Sequence, residues 1–234
     1  HTIVGDYGLA TRTGLTVGEF CRYINRQFEI GCDLHIVPVS GWSRELYYDD
    51  TDLPYVLPSP SLPSVLANLL YPGMCLFEGV TSISEGRGTT KPFELIGAPW
   101  MEHRTLAERL NKRGLGGVLF GATFFKPASS KFAGEVCRGI QIHVTNREEF
   151  ASLCTALVML EEIMRLQGEK VLWADCGAGH DIPDASALPF ERYIDKLLAD
   201  SRFTRGQLSA EALLSAHAPA LEQYRKTKEK YHLY

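Results

Sequence analysis

Segments in which apolar residues recur every three or four positions alternate along the chain with long stretches that have no period. Thr16-Val17-Gly18-Glu19 has capping-box spacing, a hydroxyl followed three residues later by a carboxylate, and Phe20, Tyr23, Ile24 and Phe28 then follow at helical intervals. A helix over about 16–28 is predicted, ended by Gly31, and LHIVPV at 34–39 alternates as a strand does. Residues 64–70 read as a short helix stopped by Tyr71-Pro72-Gly73, and 103–113 as a helix with Leu106, Ala107 and Leu110 on its apolar side, ended by Gly114. GVLFGATFFK (117–126) and GIQIHVT (139–145) read as strands. Asn146 opens a strongly periodic helix through about Gln167, with Phe150, Leu153, Leu157, Leu160, Ile163 and Met164 on one side. After a Gly-rich turn at 177–179, the pattern is helical over 190–198, 209–215 and 220–231.

Three irregular segments interrupt these elements. Pro54, Pro58, Pro60 and Pro63 exclude helix and inner strand from the end of the 41–63 stretch, because each proline removes a backbone donor and fixes φ. Trp42, Tyr47 and Tyr48 within that stretch favour an ordered loop, and long ordered loops usually serve function. SEGRGTTKPFELIGAPW, residues 84–100, packs Glu85, Arg87 and Glu94 among glycines and prolines and fits neither a helix nor a regular strand. A further segment between the two predicted strands carries Lys131, Glu135 and Arg138. The expected class is α+β: a small mixed sheet, several packed helices and long ordered loops, in a single domain over 1–234.

Composition narrows the function classes. A chain of 234 residues with 45% apolar content can bury a sizeable core. A net charge of −4 and a pI near 6.0 leave no electrostatic footprint for nucleic acid. No run approaches the ~18 apolar residues of a membrane span, and the first residues lack the basic and then apolar regions of a secretory signal. Six cysteines without a C-x-x-C pair, and without His at ligand spacing, indicate neither a zinc site nor a redox motif; free, buried thiols are expected.

The candidate chemistry lies in the loops. In Glu85-Gly86-Arg87-Gly88-Thr89-Thr90 the glycines let backbone amides approach a ligand, and Arg87 can hold an anion through two N–H groups. The same pattern also serves a tight turn with positive φ at both glycines. Glu78, Glu85 and Glu94 flank this loop, and glycoside hydrolysis uses a pair of carboxylates, although salt-bridged glutamates look the same in sequence. His143 shares the polar side of its strand with Gln141 and Thr145, which suits an acid, a base, a sugar contact or a hydrogen-bonded structural histidine. Trp42, Tyr47, Tyr48, Phe77, Phe93 and Trp100 supply rings on which sugars stack or which pack the loops down.

SPSLPSVLANLLYPGMCLFEG, SEGRGTTKPFELIGAPW, SSKFAGEVCRGIQIHVT and the closing KEKYHLY together resemble the C-terminal half of the exo-β-N-acetylmuramidase family typified by NamZ. The resemblance runs from about Gly5 to the last residue; Ser61-Leu62 stands where members usually have Asn-Met. It implies hydrolysis of terminal β-1,4-linked N-acetylmuramic acid from peptidoglycan fragments, without a metal or organic cofactor. It also implies a cleft between this half and an N-terminal Rossmann-like half, supplied by upstream residues or a second chain. On that footing Glu85 is the first catalytic candidate and Glu94 the second. Ser84, Arg87, Gly88, Thr89, Thr90, Trp100, Lys131 and His143 are the expected substrate contacts, with Arg87 set against the lactyl carboxylate. A non-catalytic muropeptide-binding module is the competing reading. An apolar face left by a missing half predicts dimerisation, as a homodimer, or poor solubility of the isolated chain. Localisation is open between an exported or periplasmic site, as in many members, and the cytoplasm.

Overall fold

A computed structural model describes residues 9–176 and 190–234; the Gly-rich turn expected at 177–179 lies outside them. The chain clusters into two compact units, residues 1–55 with 214–234, and residues 56–213.

In the first unit, α1 (Val17–Gln27) starts at the predicted capping box: Thr16 Oγ1 accepts from the Glu19 N–H, and Glu19 Oε2 accepts from the Thr16 N–H at 2.8 Å. Glu19 is fully buried, and its other oxygen accepts from Arg44 at 2.6 Å and from the Leu233 N–H at 2.7 Å. Tyr23 packs edge-on against Tyr224 and Tyr231, with ring centroids 5.7 and 5.1 Å away. Residues 34–39 form no strand: no described strand pairs with them, the Val39 N–H donates to the Tyr234 hydroxyl at 2.6 Å instead, Pro38 lacks a donor, and Val37 is 91% exposed. The two C-terminal helices expected from sequence are one helix, α6 (Ala210–Lys228), which continues through Pro219 in an exposed stretch where water can take the freed carbonyl.

The larger unit is built on α2 (Val65–Met74), α3 (His103–Lys112), α4 (Ser152–Gln167), α5 (Tyr193–Leu198) and three strands. Helix α2 does not stop at Tyr71-Pro72-Gly73; it runs to Met74 and passes into a 3₁₀ turn, Cys75–Gly79. Ser152 on α4 allows this, because its hydroxyl donates to the Leu70 carbonyl at 2.5 Å and accepts from the Gly73 N–H at 2.8 Å. Gly73 is also a point of close approach, since a Cβ there would sit 2.0 Å from the Ser152 carbonyl oxygen. Helix α4 begins at Ser152 rather than Asn146, because Asn146 forms a turn of its own, accepting from the Glu148 N–H at 3.0 Å and the Phe150 N–H at 3.2 Å.

The sheet is antiparallel in the order β1-β3-β2, with β1 (Leu95–Ala98), β2 (Val118–Phe125) and β3 (Cys137–Val144). Strand β1 lies inside the loop read as irregular; all four of its residues are buried, so no alternation marks it in sequence. Register places Ile96, Ile140, Ile142 and Phe120 on one face, and this is the buried core that α3 covers, with α4 packed on α3. The side chain of Asn111 on α3 pairs with both backbone groups of Phe120, at 2.9 and 3.0 Å, and so occupies part of the β2 edge. The opposite face carries Leu95, Phe125 and Cys137 packed with Phe132, and beside them Gln141 opposite Gly121. This second face is shallow, because Gly97 and Gly139 are register partners and a Cβ on either would meet the Phe125 ring at 2.9 Å.

Candidate functional site

Four charged side chains form a row in the larger unit. Arg87 NH2 lies 2.5 Å from Glu78 Oε1, Arg87 Nε lies 3.4 Å from Glu85 Oε1, and Lys131 Nζ lies 2.9 Å from Glu85 Oε2. Glu85 is only 2% exposed, so both of its oxygens face cations instead of water. The backbone explains how these residues meet. Gly86 and Gly88 both have φ of +80°, the tight-turn reading of the motif, and they turn the Arg87 side chain to the 3₁₀ turn that carries Glu78. Arg87 NH1 also donates to Ser61 Oγ at 3.0 Å. Lys131 sits between two left-handed residues, Ser130 (φ 70°) and Phe132 (φ 57°), and its ammonium group also donates to the Phe77 and Val80 carbonyls at 2.8 Å each. Its three donors are therefore all engaged. Left-handed non-glycine residues carry backbone strain of about 1 kcal/mol or more, and a third one, Phe93 (φ 64°), lies next to the row.

Aromatic and thiol groups surround the row. The Phe93 ring packs edge-on against Tyr71 at 4.9 Å and lies 5.2 Å below the Arg87 guanidinium. Gly79 lets α5 approach closely, since a Cβ there would meet Ile194 at 2.7 Å, and this brings Tyr193 into the field of Glu78. Burial raises the pKa of the Tyr71 and Tyr193 hydroxyls, and the Glu78 carboxylate raises both further. Burial, with Glu78 second, pushes the Cys75 thiol up to about 12. The site therefore offers a carboxylate held between two cations, a second and partly exposed carboxylate, and neutral phenols able to donate a proton or a hydrogen bond.

The turn after Gly88 forms one wall of a cleft of about 650 Å³. Thr89, Thr90 and Lys91 line it together with Thr123, Phe124 and Lys126, and with Leu95 and Gln141 from the sheet's second face. Gly88 joins the row to this cleft: it is pressed against residue 129, where a Cβ would meet a backbone oxygen at 2.3 Å, and its carbonyl accepts from the Ala128 N–H at 2.7 Å.

Glu85, Arg87 and Lys131 thus come together, while Gly88, Thr89 and Thr90 line the cleft. Ser84 is buried; it bridges Gly97 through its backbone and accepts from the Gly86 N–H at 3.1 Å. Glu94 is also buried, and it holds Lys91 at 3.4 Å. Trp100 lies apart from the cleft lining, with its carbonyl accepting from Gln167 at 3.1 Å and Lys170 5.9 Å from its ring. His143 is exposed on its strand and outside the lining. Sequence reasoning missed Tyr71, Tyr193, Lys126 and Gln141 as site residues; only the polar position of Gln141 beside His143 carried any signal. Of the six cysteines, all free, Cys21 and Cys32 are exposed, against the expectation of buried thiols. Among the described residues no group of three or more His, Cys, Asp or Glu side chains gathers as a metal site would, and no helix is long and apolar enough to cross a membrane.

Residues 69–234 match the family model described as exo-beta-N-acetylmuramidase NamZ, C-terminal, and residues 1–66 match the one described as exo-beta-N-acetylmuramidase NamZ, N-terminal. Part of the N-terminal half is thus present over 1–66, whereas the sequence resemblance placed the chain in the C-terminal half alone. The chain is 38% identical over 233 residues to the peptidoglycan beta-N-acetylmuramidase NamZ of Bacillus subtilis, a match that covers 100% of this chain and 53% of that protein. It therefore spans about half the length of the curated relative it matches. The crystal structure of a DUF1343 family protein from Bacteroides fragilis shares the fold with a TM-score of 0.80 at 24% identity, covering 95% of this chain and 56% of that one.

Proposed function

The chain belongs to the exo-β-N-acetylmuramidase NamZ family, and from that premise we propose that it forms the C-terminal wall of a glycoside hydrolase that removes terminal β-1,4-linked N-acetylmuramic acid from peptidoglycan fragments. The observation that carries the proposal is the 38% identity, along the whole of this chain, to a peptidoglycan β-N-acetylmuramidase. The row from Glu78 to Lys131 suits the chemistry. Glycoside hydrolysis develops positive charge at the anomeric carbon, and a carboxylate fixed by two cations is a preorganised counter-charge for it. Because both Glu85 oxygens are engaged by cations, its role is charge stabilisation or nucleophilic attack, and proton donation falls to another group. Arg87, with a third of its side chain exposed, presents a guanidinium to the lactyl carboxylate of muramic acid.

The full activity is proposed for the chain joined to the rest of an N-terminal half. Nitrophenol release from a chromogenic β-N-acetylmuramide, compared between this chain and an upstream-extended form, tests it. Release that falls by about a thousandfold or more in Glu85→Gln supports a catalytic carboxylate at this position. Full-rate release by Glu85→Gln removes Glu85 from the mechanism, and no release from either form favours the non-catalytic binding module. The full engagement of Glu85 is the observation on which that second reading rests.

A further inference from the structure

We propose that the cleft beside Gly88 is a second anion-recognition subsite, distinct from the row that contains Arg87, and that it takes a carboxylate-bearing, amide-rich segment of the ligand. The substrate class rests on the muramidase reading; the subsite itself rests on the cleft. It is an open cleft of about 650 Å³, with room for a ligand segment laid along the surface. Lys91 and Lys126 both line it and no carboxylate does among the described residues; Lys91 holds the buried Glu94 at 3.4 Å. Lys126 has no ion pair among the described residues, and Thr90 and Gln141 have no side-chain hydrogen bond among them. These unspent donors share a cleft with Thr123, while the Phe124 ring packs against His103 at 4.7 Å on the other face of the sheet. Two cations, an amide that both donates and accepts, and a hydroxyl together match an anion carried on an amide-containing body.

The sheet explains why the space exists. Gln141 stands between Leu95 in β1 and Gly121 in β2, and the next row on the same face is Gly97, Gly139 and Thr123, so the residues between Gln141 and the buried Phe125 are small. A Cβ at Gly121 would lie 3.1 Å from His143 Nε2, so a larger residue there would press on His143.

Two ligand sources share this chemistry, the lactyl carboxylate of a peptide-free muramic acid and the acidic residue of a peptide stem. Calorimetric titration of the chain with N-acetylmuramic acid, with an alanyl-γ-glutamate dipeptide and with N-acetylglucosamine separates them. The proposal expects at least one of the two acids to bind, with its affinity lowered about tenfold by Lys126→Ala and restored by Lys126→Arg, while N-acetylglucosamine shows no dependence on residue 126. A Lys126 effect confined to the sugar acid assigns the lactyl group, and one confined to the dipeptide assigns the stem. Unchanged affinity for both acids in a folded Lys91→Ala/Lys126→Ala double variant overturns the subsite, as does failure of both acids to bind at millimolar concentration. Glycosidase failure together with Lys126-dependent binding would sink the muramidase reading alone, and hydrolysis together with Lys126-independent binding would sink the subsite alone.

Discussion

Glu85 and Lys131, 46 positions apart in sequence, meet at 2.9 Å, and the same ammonium group closes on two backbone carbonyls of the segment that carries Glu78. One lysine therefore ties three segments together: the 3₁₀ turn, the SEGRGTT loop and the 127–136 loop. Replacing it with Met leaves Glu85 buried with Arg87 as its remaining cation.

We expect Lys131→Met to cost about 2–3 kcal/mol, somewhat below the cost for a fully buried pair because the lysine is partly exposed. Lys131→Met/Glu85→Gln should recover part of that loss, giving a positive coupling in a double-mutant cycle read by urea unfolding. Simple additivity of the two changes would show that the contact adds nothing.

A second prediction concerns acid. Burial alone would raise the Glu19 pKa, but the Leu233 N–H, the Arg44 guanidinium and the Thr16 N–H bring it from an ordinary 4.5 down to about 2. A depressed folded pKa contributes stability that is complete above 4.5 and is lost as pH falls from there toward 2. The contribution is on the order of 3 kcal/mol. Glu19→Gln should lower stability at neutral pH and flatten the pH dependence in that window; an unchanged slope would exclude Glu19 as its source.

These two carboxylates differ in how far sequence reveals them. Glu19 was legible because its partner Thr16 lies three residues away, and α3, β2 and β3 were legible for the same reason: each is specified by local periodicity. The strand expected at 34–39 has the right alternation but no neighbour to pair with, and β1 has a neighbour but no alternation. Pro72 and Pro219 look like helix stops because the sequence cannot show that Ser152, or solvent, takes the freed groups. At the site, the glycine turn was readable, but the contact between Glu85 and Lys131 was not, since two left-handed residues aim Lys131 and neither is glycine. Gln141 and Lys126 share a cleft only because β2 and β3 pair.

Gly73→Ala should destabilise by about 3 kcal/mol, because the new methyl meets the Ser152 carbonyl at 2.0 Å and α2 must move off α4. The sign is diagnostic, since alanine normally improves a helix relative to glycine. A melting temperature equal to or above that of the parent would mean that the two helices have room to spare.

Thiol chemistry gives a simpler test. With Cys75 pushed up to about 12 and Cys137 to about 11, mainly by burial, neither forms the reactive thiolate near neutral pH. A chromogenic disulfide reagent should label the exposed Cys21 and Cys32 in the folded chain and the other four only after denaturation. Rapid labelling of Cys75 in the native protein would show that the region around Glu78 opens readily.

The row from Glu78 to Lys131 contains two carboxylates and two cations in alternation, so its charges sum to zero and its field fades within a few ångströms of the surface. A charged fragment diffusing toward it is not pulled in from solvent, and ionic strength barely alters the rate at which such a fragment arrives. The same balance makes the row exacting at contact distance: a ligand anion that engages Arg87 must displace or share with Glu78, so recognition there is an exchange of partners and depends on geometry more than on charge.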